Sequence, residues 1–239
     1  TSVLGGQIWR DNRSIFRRSI RWRDMIATLK RYRSFPIFST WSGLLNTVSW
    51  QLPVLMFGAF FSPAVVGFYA LGFRILQMPM MLIGRAIGQV FHQRAAEANI
   101  QGALAPLTEG IIRRLVVFCL FPMLMLTIIG RDVFVVVFGR EWAEAGVYTQ
   151  ILSVWAIVWF VSSPLSTLYG VLEKQAQGLL LQAAIFLSRL VSIGVGAYLD
   201  NAKIALLLFS LSGIGVYGYL IYKIAVFSEV NLRNIAAGL

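Results

Sequence analysis

From Phe35 onward the chain alternates long apolar stretches with brief polar breaks. A helix needs ~20 apolar residues to cross a hydrocarbon core. Six stretches reach that length, at about 36–61, 65–90, 111–130, 147–172, 178–199 and 204–227. The tightest breaks are Ser62-Pro63-Ala64 and Asp200-Asn201-Ala202-Lys203. Segments 91–110 and 131–146 have more room and read as loops. Within the second, Val133 to Phe138 is apolar but too short to span, which predicts a stretch lying in the interface or folding back, anchored by Trp142.

Before Phe35 the pattern changes. Residues 1–34 hold nine basic residues, and Ile8, Ile15, Trp22, Ile26 and Leu29 recur at intervals of 7, 7, 4 and 3. That spacing is one helical face, so the segment reads as an amphipathic helix on an anionic membrane surface. It reads equally as a solvated basic linker. The organisation expected is therefore an all-α membrane protein, a bundle of six transmembrane helices preceded by a basic amphipathic cytoplasmic segment. Residues 1–34 form that segment, 35–230 the six-span lobe and 231–239 a cytoplasmic tail.

Composition agrees. The 239 residues are 58% hydrophobic and 13% charged, whereas soluble domains run about 45–50% apolar and about 25% charged. A soluble globule and a disordered chain are both excluded. One cysteine and one histidine rule out a disulfide framework and a His/Cys metal cluster. No cofactor, metal or nucleic-acid partner is expected. Chain order begins at Thr1 with no cleavable leader pattern, which suggests a piece of something longer.

The net charge of +11 resolves into an asymmetry. With residues 1–34 cytoplasmic, fifteen Lys/Arg fall on the cytoplasmic side and three, Arg131, Arg140 and Lys203, on the other. That bias follows the positive-inside rule, with both ends inside. The remaining three, Arg74, Arg85 and Arg189, fall within spans, whereas none of the ten acids does. Arg74 and Arg189 lie ~15 Å deep at 1.5 Å per residue. An arginine there costs roughly 2.5–3.5 kcal/mol on the insertion scale, so each must face water, a carbonyl or an anion. Arg85 is close enough to the cytoplasmic end to snorkel.

Polar residues line up beside these arginines. Arg74, Gln77, Arg85 and Gln89 share one helical stripe, Gln182, Arg189, Ser192 and Gly196 a second, and Ser39, Ser42, Asn46 and Ser49 a third. Three stripes on three helices imply a shared hydrophilic cavity; hydrogen bonding between helices, with the arginines satisfied by carbonyls, is the alternative. Gly84 and Gly88 read as a close helix contact, Cys119 as a small buried hydrophobe and His92 as a surface residue. Pro53, Pro79, Pro122 and Pro164 each remove a backbone hydrogen bond from a span. No carboxylate pair, Ser/His/Asp set or Gly-rich phosphate loop is present, so no catalytic residues and no enzyme activity are expected.

Several runs, in order, carry a family likeness: Arg31-Tyr32-Arg33-Ser34-Phe35-Pro36, Gln51-Leu52-Pro53, Gly67-Phe68-Tyr69-Ala70-Leu71-Gly72-Phe73-Arg74, Val137-Phe138-Gly139-Arg140-Glu141-Trp142 and Ser162-Ser163-Pro164-Leu165-Ser166. Over about residues 31–227 the chain resembles the polysaccharide biosynthesis, or oligosaccharide flippase, family of the multidrug/oligosaccharidyl-lipid/polysaccharide exporter superfamily. The resemblance implies two six-helix lobes around a central cavity in the bacterial cytoplasmic (inner) membrane. This chain would be the second lobe, partnered by a missing N-terminal lobe or a second copy. It also implies flipping of polyprenyl-pyrophosphate-linked oligosaccharide by alternating access of a cationic cavity, in contact with membrane lipid. On that reading Arg74 and Arg189 hold the pyrophosphate, Arg85 captures it at the mouth, and Asn46, Gln77, Gln182 and Ser192 bond sugar hydroxyls. Two other readings stand beside it: a multidrug exporter of the same superfamily and a membrane-embedded glycan polymerase or ligase.

Overall fold

The computed structural model describes residues 34–79 and 84–230, so the basic segment and the C-terminal tail lie outside the described residues. Those described are helical, with no strand among them. The helices are α1 (Ser34–Phe60), α2 (Pro63–Pro79), α3 (Arg85–Gln101), α4 (Leu104–Phe138), α5 (Ala143–Leu165), α6 (Leu168–Val171), α7 (Gln175–Tyr198) and α8 (Ala202–Phe227). A 3-10 turn, Arg140–Trp142, joins α4 to α5.

Among the described residues four helical runs are long and apolar enough to cross a membrane: α4, the run Arg140–Val171 that contains α5 and α6, α7 and α8. Two of the six expected spans do not reach that measure. Helix α1 has the length, at 27 residues, but its Ser42, Asn46 and Ser49 dilute its apolar character. The described part of α2, Pro63–Pro79, has 17 residues, and the expected span continues into residues outside the described ones.

Both expected loops are helical. Residues 91–101 continue α3, whose Phe91, Ala95 and Ala98 are buried on one face. Three alanines within Ala95–Ala98 and its neighbours favour a helix strongly, and Gly102, at φ 71°, stops it in the left-handed conformation that glycine adopts freely. The apolar patch before Gly139 neither lies flat nor folds back. It forms the last turns of the 35-residue α4, because Gly139, at φ 100°, is the first residue to break the helix. Trp142 packs edge-on against Phe68, ring centroids 5.9 Å apart.

Helix α5 is the axis of the bundle. In its most apolar stretch 61% is buried, against 22–39% for the other three runs. It packs on α2, α4 and α8, while α7 packs on α1 and α8. Small residues set the close approaches. Gly130 of α4 meets Gly146 of α5, Gly72 of α2 meets Ala145 and Thr149, and Gly196 of α7 meets Ala205 of α8. Polar groups add specific bonds: Thr127 Oγ1 lies 2.7 Å from Ser153 Oγ, and Gln150 Nε2 donates to the carbonyls of Thr127 and Ile128. Cys119 is buried and His92 exposed, as the sequence suggests.

The turn between α7 and α8 is closed by Asn201, whose Oδ1 accepts from the N–H groups of Lys203 at 3.0 Å and Ile204 at 3.1 Å. Those two donors lack partners inside the helix. Asn201→Ala is expected to cost about 1 kcal/mol, read as a lower unfolding temperature of the detergent-solubilised protein. An unchanged temperature would mean the cap is dispensable.

Candidate functional site

A cleft of about 740 Å³ opens among α1, α2, α5, α7 and α8. Helices α1 and α7 contribute their N-terminal halves, from Phe38 to Trp50 and from Gln175 to Ile185. Helices α2, α5 and α8 contribute their C-terminal ends, through Gln77, Trp159 to Pro164, and Tyr217 with Leu220. In an antiparallel bundle these are one and the same end. The Gly139–Trp142 turn and the exposed Lys203–Glu144 ion pair, at 2.9 Å, occupy the opposite one.

The lining is polar without being charged. Amides come from Asn46, Gln77, Gln175 and Gln182, hydroxyls from Ser42, Ser162, Ser163, Ser166 and Thr167, and aromatic rings from Phe38, Trp50, Trp159, Tyr169 and Tyr217. No charged side chain lies among the described residues of its wall. Of the residues singled out in the sequence, Asn46, Gln77 and Gln182 converge here from three different helices. Asn46 Oδ1 accepts the Trp50 indole N–H at 2.9 Å, which leaves its NH2 group for the cleft. Among the described residues the side chains of Gln77, Gln175 and Gln182 have no protein partner.

The other expected site residues lie elsewhere. Arg74 is exposed on α2 and absent from the cleft wall; the i+4 row Ala70, Arg74 and Met78 faces outward, whereas Gly72 and Leu76 face the core. Ser192 is buried at the α7–α8 contact, 3.0 Å from Ser212 Oγ. Arg85 opens α3, but its side chain lies outside the described residues. Gly88, expected at a helix contact, has nothing within 4 Å of its Cβ position among the described residues and lines the cleft with Gly84.

Arg189 lies beneath the cleft floor, only 3% exposed. Pro53 has no N–H, so the carbonyl of Ser49, one turn earlier in α1, lacks its helical donor. Arg189 Nη1 donates to that carbonyl at 2.6 Å and to Ser49 Oγ at 3.2 Å, while Nη2 donates to the Tyr217 hydroxyl at 3.1 Å. Its guanidinium carbon sits 4.1 Å from the centroid of the Trp50 ring and 5.4 Å from that of Phe209. This cation is therefore held by a carbonyl, two hydroxyls and two ring faces. Among the described residues the cleft wall is uncharged, and Arg189 lies behind it.

Sequence reasoning missed Trp50, Trp159, Tyr217, Gln175 and the hydroxyls around Pro164 as cleft residues. A signal existed for the last group: Ser162, Ser163, Ser166 and Thr167 cluster at the end of one span. Aromatic residues carry none, because a tryptophan at helical spacing reads as core. Most of the aromatic surface here is indeed core: Trp155 and Trp159 stack at 5.3 Å, with Phe73 stacked against both.

Comparison with known proteins places this geometry in context. No solved structure matches the chain. The teichuronic acid biosynthesis protein TuaB of Bacillus subtilis (strain 168) is 26% identical over 133 residues, 54% of this chain and 26% of that protein. The chain thus spans about a quarter (26%) of the length of the curated relative it matches. The family model described as polysaccharide biosynthesis protein matches residues 13–147, more than half of the sequence. With its long apolar helices, this chain is a membrane protein and belongs to the polysaccharide biosynthesis protein family.

Proposed function

We propose that the chain forms part of a transporter that moves a lipid-linked oligosaccharide across the bacterial cytoplasmic membrane, with the cleft receiving the glycan while the prenyl tail stays in lipid. One observation carries the reading. In a family of polysaccharide biosynthesis proteins, a membrane helix bundle opens at one end into a cleft of amides and hydroxyls, groups that replace the water around sugar hydroxyls. The end that opens adjoins Lys174 and Lys223, so the positive-inside rule makes it cytoplasmic, and the bundle stands open to the side where the glycan is loaded. The chain's share of the whole protein would rock against the remainder to expose the cleft to the other side. Arg74, exposed on α2 outside the cleft, is the cation assigned to the diphosphate in this proposal. No acidic side chain lies among the described residues of the cleft wall, which disfavours a cationic drug as cargo.

The test uses the full-length protein in liposomes loaded with lipid-linked oligosaccharide. Access of a membrane-impermeant glycosidase reports which leaflet the glycan occupies. Glycan is expected to become accessible from the far side without changing length. The double variant Gln77→Leu, Gln182→Leu is expected to slow this at least ~10-fold, since two lost hydrogen bonds at about 1 kcal/mol each suffice, with an unaltered unfolding temperature. Lengthened glycan would make the protein a polymerase, and a static distribution would end the transport reading.

A further inference from the structure

We propose that the membrane-facing side of α8 holds one anionic phospholipid of the cytoplasmic leaflet, its phosphate held by Lys223 and Lys174 and an acyl chain laid against Gly215. Such a lipid is bound whether or not the chain moves a glycan.

The site follows one row of α8. Gly215, Tyr219, Lys223 and Phe227 recur at intervals of four, so they lie in a single slanted line along the helix. That line runs away from the cleft, to which α8 turns Tyr217 and Leu220, and beside the exposed Leu211, Tyr222 and Val226. On a helix long and apolar enough to span, an exposed apolar face meets acyl chains. Toward the cytoplasmic end the row turns cationic. Lys223 Nζ lies 5.5 Å from the centroid of the Tyr219 ring. Lys174, the residue before α7, lays its Nζ over the Phe227 ring, 3.4 Å from the centroid. Lys223 and Phe227 are one turn apart, ~6 Å along the axis at 1.5 Å per residue, so two ammonium groups from different segments occupy neighbouring turns.

No carboxylate answers them. Among the described residues the one ion pair is Lys203–Glu144, at the far end of the bundle. Glu173 and Glu229, the acids that follow α6 and α8, are exposed and form no ion pair with either lysine. An aromatic face attracts a cation without neutralising it. A phosphodiester supplies the negative charge, accepts from both ammonium groups, and sits at the headgroup level where tyrosines such as Tyr219 and Tyr222 concentrate.

The row also seats a chain. Gly215 is exposed, and among the described residues nothing lies within 4 Å of its Cβ position. An open notch is left there between Leu211 and Tyr219, each four residues away. The notch is eight residues, ~12 Å, from Lys223 toward the bilayer centre. An acyl chain attached to a phosphate on the lysines reaches that depth; an ion from solution does not.

Native mass spectrometry of the purified full-length protein, released from micelles holding equal amounts of phosphatidylglycerol and phosphatidylcholine, tests the site. One phosphatidylglycerol is expected to be retained with ~30-fold preference, about fivefold for each lysine near an anionic headgroup. Lys174→Gln with Lys223→Gln is expected to bring that preference close to unity. Arg113→Gln with Arg114→Gln removes the same charge from exposed positions of α4 at the same end and is expected to leave the preference intact. Gly215→Leu, which fills the notch without touching a charge, is expected to weaken retention several-fold, and Lys223→Arg to preserve it. Unfolding temperatures in lipid-free detergent check that each variant is folded, and Gly215→Leu carries the test should the lysine pair not fold. Equal retention of the two phospholipids, an equal loss in the two double variants, or full retention by Gly215→Leu overturns the proposal. So does displacement of phosphatidylglycerol by equimolar polyprenyl diphosphate, which would assign the two lysines to a transported lipid instead.

Discussion

Arg189→Met is expected to destabilise the bundle, and Pro53→Ala is expected to recover part of that loss. The first change leaves the Ser49 carbonyl and the Tyr217 hydroxyl without their donor. A buried polar group stripped of its partner costs roughly 1–3 kcal/mol, so the single variant should lose a few kcal/mol. The second change restores an N–H at position 53, one helical turn from Ser49, and so returns to that carbonyl the donor that proline withheld. In the Arg189 background the same substitution finds the carbonyl already bonded and should do less. The two effects are therefore non-additive, with a coupling of about 1 kcal/mol within the range seen for groups that share a partner. Unfolding temperatures of the two single variants and the double variant measure it. Strict additivity would separate the arginine from the proline and return Arg189 to the list of residues that wait for an anion. Arg189→Lys should fall between, because one ammonium cannot reach Ser49 and Tyr217 together in the way a planar fork does.

Gly146→Ala is expected to be the most damaging single methyl group that can be added to the α4–α5 contact. Its Cβ would lie 2.5 Å from the Arg131 Cα and 2.8 Å from the Gly130 carbonyl oxygen. Both are backbone atoms, so no side-chain rotation relieves the clash and the helices must separate. Overpacking of this kind costs about 1–3 kcal/mol. It would also strain the bonds from Gln150 to the Thr127 and Ile128 carbonyls in the same crossing. Gly194→Ala is the control: nothing lies within 4 Å of its Cβ position, and alanine gains about 1 kcal/mol over glycine in helix propensity. Thermal unfolding should therefore move in opposite directions for the two variants. A shift in the same direction for both would mean that the small-residue crossing is not what holds α4 on α5.

Parts of the molecule were legible one residue at a time. The Asp200 to Lys203 break marks the α7–α8 turn because its polar cap and polar side chains are local signals. The polar positions Asn46, Gln77 and Gln182 were recognisable as cleft residues because amides inside apolar runs need partners or water. Other expectations failed where a local rule met a wider context. Hydropathy stops a span where charges appear, yet α4 runs through Arg131 and Asp132 to Phe138, since a helix ends at a backbone break and not at a charge.

Sequence alone determined the helical membrane class and the presence of arginines inside apolar runs that had to be satisfied by something. It could not determine by what. That depended on α7 lying against α1 so that a guanidinium meets a carbonyl 140 positions away in the chain. Periodicity reports which face of a helix is polar. Only the packing of one helix on another decides whether that face meets a ligand, a neighbouring backbone or lipid, because the same charge is stabilised by different partners at different neighbours.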